Sequence, residues 1–316
     1  MTRRRPPGLA GALAAAGLLG YMPRMDGTRD DGRKNGRVGG HDGLAFRKMH
    51  GAGNDFVIID QRRREVALTP ALVRAIGDRH RGVGFDQLAE ILPGGNTTAA
   101  VRFWNADGGG AQACGNATRC IADLLIAETG LSQVTLGSQN GVLIGRRRAD
   151  GLVEVDMGLP RWGWRDVPLA READTLRLPI EGGPAACSMG NPHCTLFVDD
   201  AEAVALAARG PQIEHDPLFP ERTNVQLVEV QARDRARVRV WERGVGETLA
   251  SGSSSCAVLV NAVRRGLMDR RATMVLDGGA LQIEWREDGH VLMAGPVAHV
   301  FEGTLSADFL TAAELA

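Results

Sequence analysis

One segment of this chain occurs twice, and that repetition limits the folds open to it. Val101–Ala122 reads VRFWNADGGGAQACGNATRCIA, and Val238–Ala257 reads VRVWERGVGETLASGSSSCA. Val101, Arg102, Trp104 and Asn105 align with Val238, Arg239, Trp241 and Glu242 at an offset of 137. The same offset carries Cys114 to Ser251, Gly115 to Gly252, Asn54 to Asn191 and Gln87 to Asn224. A constant offset over several separated motifs means two copies of one module, not a short-period solenoid. The first copy reads as a strand, a glycine run and then a helix, with Ala117, Ile121, Leu124 and Leu125 at helical spacing up to Gly130. A cysteine at a helix N-terminus feels the positive end of the macrodipole, and the backbone N–H groups there can hold an anion. Both effects favour thiolate over thiol. A buried structural cysteine beside a turn is the competing reading of one copy alone. Two copies instead suggest related halves that face each other across a cleft, each offering a helix N-terminus with a nucleophile-type residue.

The bulk properties exclude several function classes. Basic residues number 37 against 38 acidic ones, so no global charge attracts nucleic acid, and aromatics at 4% leave no stacking platform for single strands. The five cysteines form no CxxC and no zinc spacing, and an odd count without a disulfide framework suits a reducing compartment, the cytoplasm. Neither a GxGxxG fingerprint nor a Walker A sequence is present.

In chain order, residues 1–43 read as a disordered extension or a misplaced start, with Met25 as one alternative. Arg3–Arg5 precede an apolar run, Leu9–Leu19, which is too short to span a bilayer and lacks a following A-x-A site. No membrane association is expected. The folded part opens at Leu44, and Val57–Asp60 follows the Gly51–Asp55 turn as a buried strand. Thr69–Arg79 is expected as a helix, with Thr69 as N-cap and Pro70 at its first position. Leu131–Met157 alternates as hairpin strands do, and Pro160-Arg161-Trp162 marks the crossing between halves. Ala201–Ala208 reads as a short apolar helix and Val225–Val230 as a strand. The expected organisation is a first half over 44–159, a second over 160–295, and a final strand at about 296–312 that returns to the first half. The fold class is α/β of the α+β type: two pseudo-symmetric halves, each a mixed or antiparallel sheet around a central helix, with the site in the cleft between them.

HGAGNDFVIID, GFDQL, WNADGxxxxxCGNxxR, MGNPH, RTNV, WERGVGETLA and GPVxxVFEG, in this order from about Leu44 to Gly303, resemble the diaminopimelate epimerase family. The resemblance implies interconversion of LL- and meso-diaminopimelate in the lysine and peptidoglycan pathway, without pyridoxal phosphate or metal, by a homodimer. Epimerisation takes the α-proton from one face and returns one to the other, so two acid/base groups must flank one carbon. By resemblance Cys114 is the first of these and Ser251 occupies the position of the second, with His193 and Glu242 as auxiliary catalytic groups. Gly115-Asn116 and Gly252-Ser253 would supply helix N-terminal amides to the α-carboxylate, whose charge grows in the transition state. Asn54, Gln87, Asn105, Asn191 and Asn224 would hold the ammonium and carboxylate groups, Arg243 the distal carboxylate, and Glu242 an ammonium.

The chain departs from the family at one position that matters. Where the family has A-C-G-T-G-A-C-A, Ala250–Ala257 reads ASGSSSCA, so the second thiol is the Ser251 hydroxyl. Cys256 lies five residues on, and helical spacing points it elsewhere. A serine hydroxyl is a weak base unless a neighbour activates it. A related racemase, isomerase or dehydratase, or a catalytically weak binding protein on the same scaffold, therefore stands as the alternative.

Overall fold

The structure is a computed structural model that describes residues 43–63, 66–111, 114–139 and 141–314. The readings for residues 1–42 lie outside the described residues. The chain runs β1 (Leu44–Gly51), β2 (Asn54–Asp60), α1 (Pro70–Gly77), β3 (Gln87–Leu92), β4 (Ala99–Asn105), β5 (Gly110–Ala111), α2 (Gly115–Thr129), β6 (Gln133–Ser138), β7 (Gly141–Arg147) and β8 (Val153–Asp156). It then repeats that succession as β9 (Ala185–Ser188), β10 (Pro192–Phe197), α3 (Leu206–Glu214), β11 (Asn224–Ala232), β12 (Arg235–Glu242), β13 (Gly246–Thr248), α4 (Gly252–Arg264), β14 (Arg271–Leu276), β15 (Gly279–Trp285) and β16 (Val291–Gly295). β17 (Ala298–Leu305) and α5 (Ala307–Glu314) close it.

Pairing repeats as well. From β1 through β2, β3, β4, β6 and β7 to β8 the neighbours pair antiparallel, parallel, antiparallel, parallel, antiparallel, antiparallel. From β9 through β10, β11, β12, β14 and β15 to β16 the pattern is identical. Register follows the offset too: Phe56 faces Gln87 where His193 faces Asn224, and Leu88 faces Trp104 where Val225 faces Trp241. The series join through the antiparallel β8–β16 pair, and β17 returns to lie against β1. The architecture is thus mixed α+β with one continuous sheet system, curled around a helix in each series.

α2 packs on β1, β2, β3, β6, β7 and β8, and α4 on β9, β10, β11, β14, β15 and β16. Both helices are covered on most sides, as an apolar helix inside a curled sheet must be. Ile121, Leu125 and Ile126 meet Ile58, Ala89 and Leu136 around α2; Val258, Leu259 and Val260 meet Val238, Val240 and Ile283 around α4. Thr69 caps α1 as expected, its hydroxyl accepting the Leu72 N–H at 3.1 Å, with Pro70 first in the helix. Gly130, at φ 71°, ends α2 by donating to the Ile126 carbonyl.

Two expected elements differ. Ala201–Val204 is not helical: the Asp200 carboxylate accepts the N–H groups of Glu202 and Ala203, which locks a bend and delays α3 to Leu206. The final strand ends at Leu305 and not near 312, because Ala307–Glu314 turns into helix α5, whose Leu310 and Ala313 join the core formed by Leu44, Phe46, Leu72 and Val73.

The turn that presents Asn54 rests on an ion cluster. Ala52 and Gly53, at φ 53° and 83°, form a two-residue hairpin of the kind with both central φ angles positive. Directly after it, burial alone would raise the Asp55 carboxyl, but hydrogen bonds from Arg79 and Lys48 and their charges hold it at about 2. A depressed folded-state value stabilises the fold above the ordinary value of 3.8, and that contribution is lost as pH falls through about 2. Asp55→Asn is expected to cost about 2 kcal/mol at pH 7, with the gap to wild type closing as pH falls from about 4 toward 2. Urea unfolding at several pH values checks this; an equal loss at every pH would assign the effect to shape and not to charge.

Candidate active site

The two repeated helices bring their N-termini together. Cys114 is the N-cap of α2 and Ser251 the N-cap of α4, both in extended backbone (φ −145°, ψ 99° and φ −135°, ψ 120°). Gly115 and Gly252 meet over one side chain, Met293 of β16: an added Cβ would lie 2.7 Å from Met293 Cε at Gly115 and 2.7 Å from its Sδ at Gly252. The Gly252 position is also 3.5 Å from Asn116 Oδ1. First-turn N–H groups from both halves thus border one space, with the flexible tip of Met293 between them.

The two caps differ in what they bond. The Cys114 Sγ accepts the Ala117 N–H at 3.4 Å, whereas the Ser251 hydroxyl makes no cap bond. Serine is among the strongest N-cap formers, so this hydroxyl has been drawn elsewhere. The Ser251 hydroxyl instead acts on the Glu242 carboxylate and lowers it, and Thr248 Oγ1 donates to the same carboxylate at 3.0 Å. Burial raises Glu242, opposed by those two hydroxyls, and the charge of Asp86 adds to the rise.

The expectation that the helix terminus makes Cys114 a ready thiolate is overturned. Burial pushes the thiol up to about 12; the Ala117 N–H and the Arg119 charge pull downward, while the Glu242 charge adds to the rise. Removing a thiolate from water outweighs one end of a helix dipole here. Glu242 acting on Cys114 also ties the two halves electrostatically. All five cysteines are unpaired and buried. Cys114, at 8% exposure, is the least enclosed, against 0% for Cys120, Cys187, Cys194 and Cys256. Iodoacetamide is therefore expected to label Cys114 first, slowly, with a rate that still climbs above pH 9. Peptide mapping checks it; prior labelling of Cys256 or Cys120 would contradict the assignment.

The polar residues fall into small sets. Asn54 Oδ1 accepts from Asn116 Nδ2 at 3.0 Å, and Asn54 Nδ2 donates to Asp86 at 2.8 Å. Gln87 donates to Asn105 Oδ1 at 3.2 Å across β3 and β4. Asn224 donates to the Pro192 carbonyl at 2.9 Å and accepts the Arg243 N–H at 3.0 Å, so it fixes the turn that carries Glu242 and Arg243. The Arg243 guanidinium is half-exposed and donates to the Glu221 carbonyl at 3.1 Å. Ser253 lies half-buried in the first turn of α4.

His193 is bonded through both ring nitrogens. Its Nε2 is 2.9 Å from Asn191 Oδ1 and its Nδ1 is 3.1 Å from Gln226 Nε2. Thr195 donates to Gln226 Oε1 at 3.1 Å, which leaves the Gln226 amide as donor and His193 Nδ1 as acceptor. The proton then sits on Nε2, toward Asn191. Burial, with the Arg243 charge, drives His193 down to about 3, so the ring is neutral. Gln226 was not legible as a site residue, since nothing in its spacing separates it from a strand glutamine. Asp86 and Met293 were equally silent. Arg119 lay in plain view at the end of CGNxxR.

Such an arrangement can hold a carboxylate at two helix N-termini and move protons at a carbon between Cys114 and the Ser251–Glu242 pair. Known proteins resemble this chain over most of its length. A diaminopimelate epimerase from Acidiphilium cryptum is 55% identical, covering 84% of this chain and 97% of its own length. Another from Rhodospirillum centenum is 54% identical over 84% and 93%. Among solved structures, a Pseudomonas aeruginosa protein described as a predicted epimerase superposes with TM-score 0.62 at 22% identity, over 83% of this chain and 99% of that one, which speaks to the fold. The family match itself, described as diaminopimelate epimerase, covers residues 46–163 and 185–300, and the chain belongs to that family.

Proposed function

We infer that the chain is a diaminopimelate epimerase, an isomerase that interconverts the LL- and meso-forms by moving the α-proton, in lysine and peptidoglycan synthesis. The observation that carries this reading is the meeting of two helix N-termini over Met293, one capped by Cys114 and the other by Ser251 with Glu242 behind it. The substrate α-carboxylate lies at the first-turn N–H groups of Gly115, Asn116, Gly252 and Ser253, where its growing charge is stabilised most in the transition state. On one face the Cys114 sulfur takes or gives the α-proton. On the other, the Cα–H bond breaks as a Ser251 O–H bond forms, and the serine's own proton passes to Glu242; delivery runs the same steps backward. Burial raises the Glu242 carboxyl, which makes it a stronger proton acceptor than a free carboxylate. Asn54, Gln87, Asn105, Asn191 and Asn224 orient the polar ends, and Arg243 faces the distal carboxylate.

A homodimer belongs to this reading. Among the described residues β17 pairs with β1 alone, and its Val300 and Phe301 are 55% and 46% exposed, an apolar edge suited to a second copy. Five unpaired cysteines support a cytoplasmic setting.

Incubation with LL-diaminopimelate in deuterium oxide tests the function. The α-hydrogen is expected to be replaced by deuterium as the meso-form appears, with no added cofactor. Complete retention of the α-hydrogen in both forms would favour a binding protein on this scaffold.

A further inference from the structure

The CGNxxR motif ends in a residue that the chemistry above does not use. Arg119, in the second turn of α2, is 0% exposed. Its Nη1 donates to Asn116 Oδ1 at 2.7 Å and lies 3.4 Å from Met293 Sδ. Among the described residues its Nε and Nη2 have no hydrogen-bond partner. The chain leaves room for this head at two glycines. A Cβ at Gly51 would come 2.7 Å from Nη2, and one at Gly295 would come 3.2 Å from Cζ and 3.3 Å from Nε. An enclosed guanidinium without a carboxylate is expensive, and a methionine would fill such a place at far lower cost.

We propose that Arg119 is a positioning residue of the active site, whose buried guanidinium holds Asn116 against Asn54 and supplies the fixed positive charge for a thiolate at Cys114. The geometry of the first role is a chain: Arg119 Nη1 to Asn116 Oδ1, Asn116 Nδ2 to Asn54 Oδ1, Asn54 Nδ2 to Asp86. The second role fits the groups around the cation. Nη1 touches Met293, whose tip lies against Gly115 beside Cys114; burial lowers the guanidinium's pKa against the opposing charges of Cys120, Cys114 and Cys256, and Arg119 in turn lowers Cys114.

The internal repeat strengthens the case. At the offset of 137, Arg119 corresponds to Cys256, and Glu242 corresponds to Asn105. The half with a thiol at the helix cap therefore carries a cation and no matching carboxylate. The half with a hydroxyl carries a carboxylate and no matching cation. A thiol acts by becoming an anion and gains from a nearby positive charge, and the half whose cap is Cys114 is the one that carries the cation.

This inference rests on Cys114 as an acid/base group, yet its test needs no turnover. Arg119→Met and Arg119→Lys are compared with wild type for iodoacetamide labelling of Cys114 against pH, read by peptide mapping, alongside kcat, KM and thermal unfolding. Arg119→Met is expected to slow Cys114 labelling at pH 8 about tenfold, one unit in thiol acidity, and to lower kcat at least as much. Arg119→Lys is expected to stay within about threefold in labelling, because it keeps the charge. A purely structural arginine would lower the melting temperature and leave Cys114 labelling unchanged or faster, and that outcome overturns the proposal. Should Arg119→Met fail to fold, a tenfold slower labelling in folded Arg119→Lys overturns it equally, and retained labelling supports it. Wild type that labels as expected but shows no α-hydrogen exchange would sink the epimerase reading while leaving the charge role standing.

Discussion

Cys114→Ala is expected to lower α-proton exchange by three orders of magnitude or more. A positioned acid/base group contributes about 10²–10⁴ to such a step, and no second group replaces it on that face. His193 cannot substitute: both ring nitrogens are engaged by Asn191 and Gln226, and burial holds the ring neutral. Cys114→Ser is expected to fare little better, because the position that matches Glu242 in that half is Asn105, which accepts no proton at neutral pH. Deuterium uptake from LL- and meso-substrate, measured separately, checks this. A variant that exchanges within tenfold of wild type from both isomers would remove Cys114 from the mechanism.

Replacing Ser251 separates hydroxyl chemistry from thiol chemistry at one position. Ser251→Ala is expected to cost at least a hundredfold in epimerisation, since it breaks the path from Cα to Glu242. Ser251→Cys is expected to match or exceed wild type, because a thiol ionises much nearer working pH than a hydroxyl. Glu242 supplies the diagnostic. Glu242→Gln should cost about a hundredfold with serine in place and markedly less beside Ser251→Cys, a non-additivity expected only of groups that act together. Equal losses from Glu242→Gln in both backgrounds would mean that the carboxylate serves substrate binding alone. Unchanged rates in Ser251→Ala would place another proton carrier on that face.

The sequence conveyed the repeat and, through it, the two matching helix caps. An offset of 137 between two strand–turn–helix segments foretold that α2 and α4 occupy matching places and that Cys114 and Ser251 sit at matching caps. Local signals also served where they were local, as with Thr69 and Pro70 at the start of α1. Failure came where tertiary packing overrode them. The apolar run after Asp200 suggested a helix, but the carboxylate of Asp200 ties down the next N–H groups, and α3 then continues through Pro211. The tail beyond Leu305 was read as strand because its helical spacing, Phe309, Leu310 and Ala313, shows only against the α1 surface it packs on. The acidity of Cys114 was misjudged for a similar reason: a sequence displays the helix terminus but not the depth at which the sulfur is buried.

β17 has a consequence for the order in which this protein is made. The first strand of the described fold, β1, is flanked by β2 on one side and by β17 on the other, so its outer edge waits for β17 to leave the ribosome. Helix α5 arrives later still, and Leu310 and Ala313 complete the apolar layer over Leu72, Val73 and Ile76 of α1. During synthesis the early half can close around α2 but must carry an open strand edge and an uncovered helix while the later half is being translated. A nascent chain stalled after Gly295 should therefore bind chaperone and be cut by protease within β1 and α1, whereas synthesis and release through α5 should protect both at once.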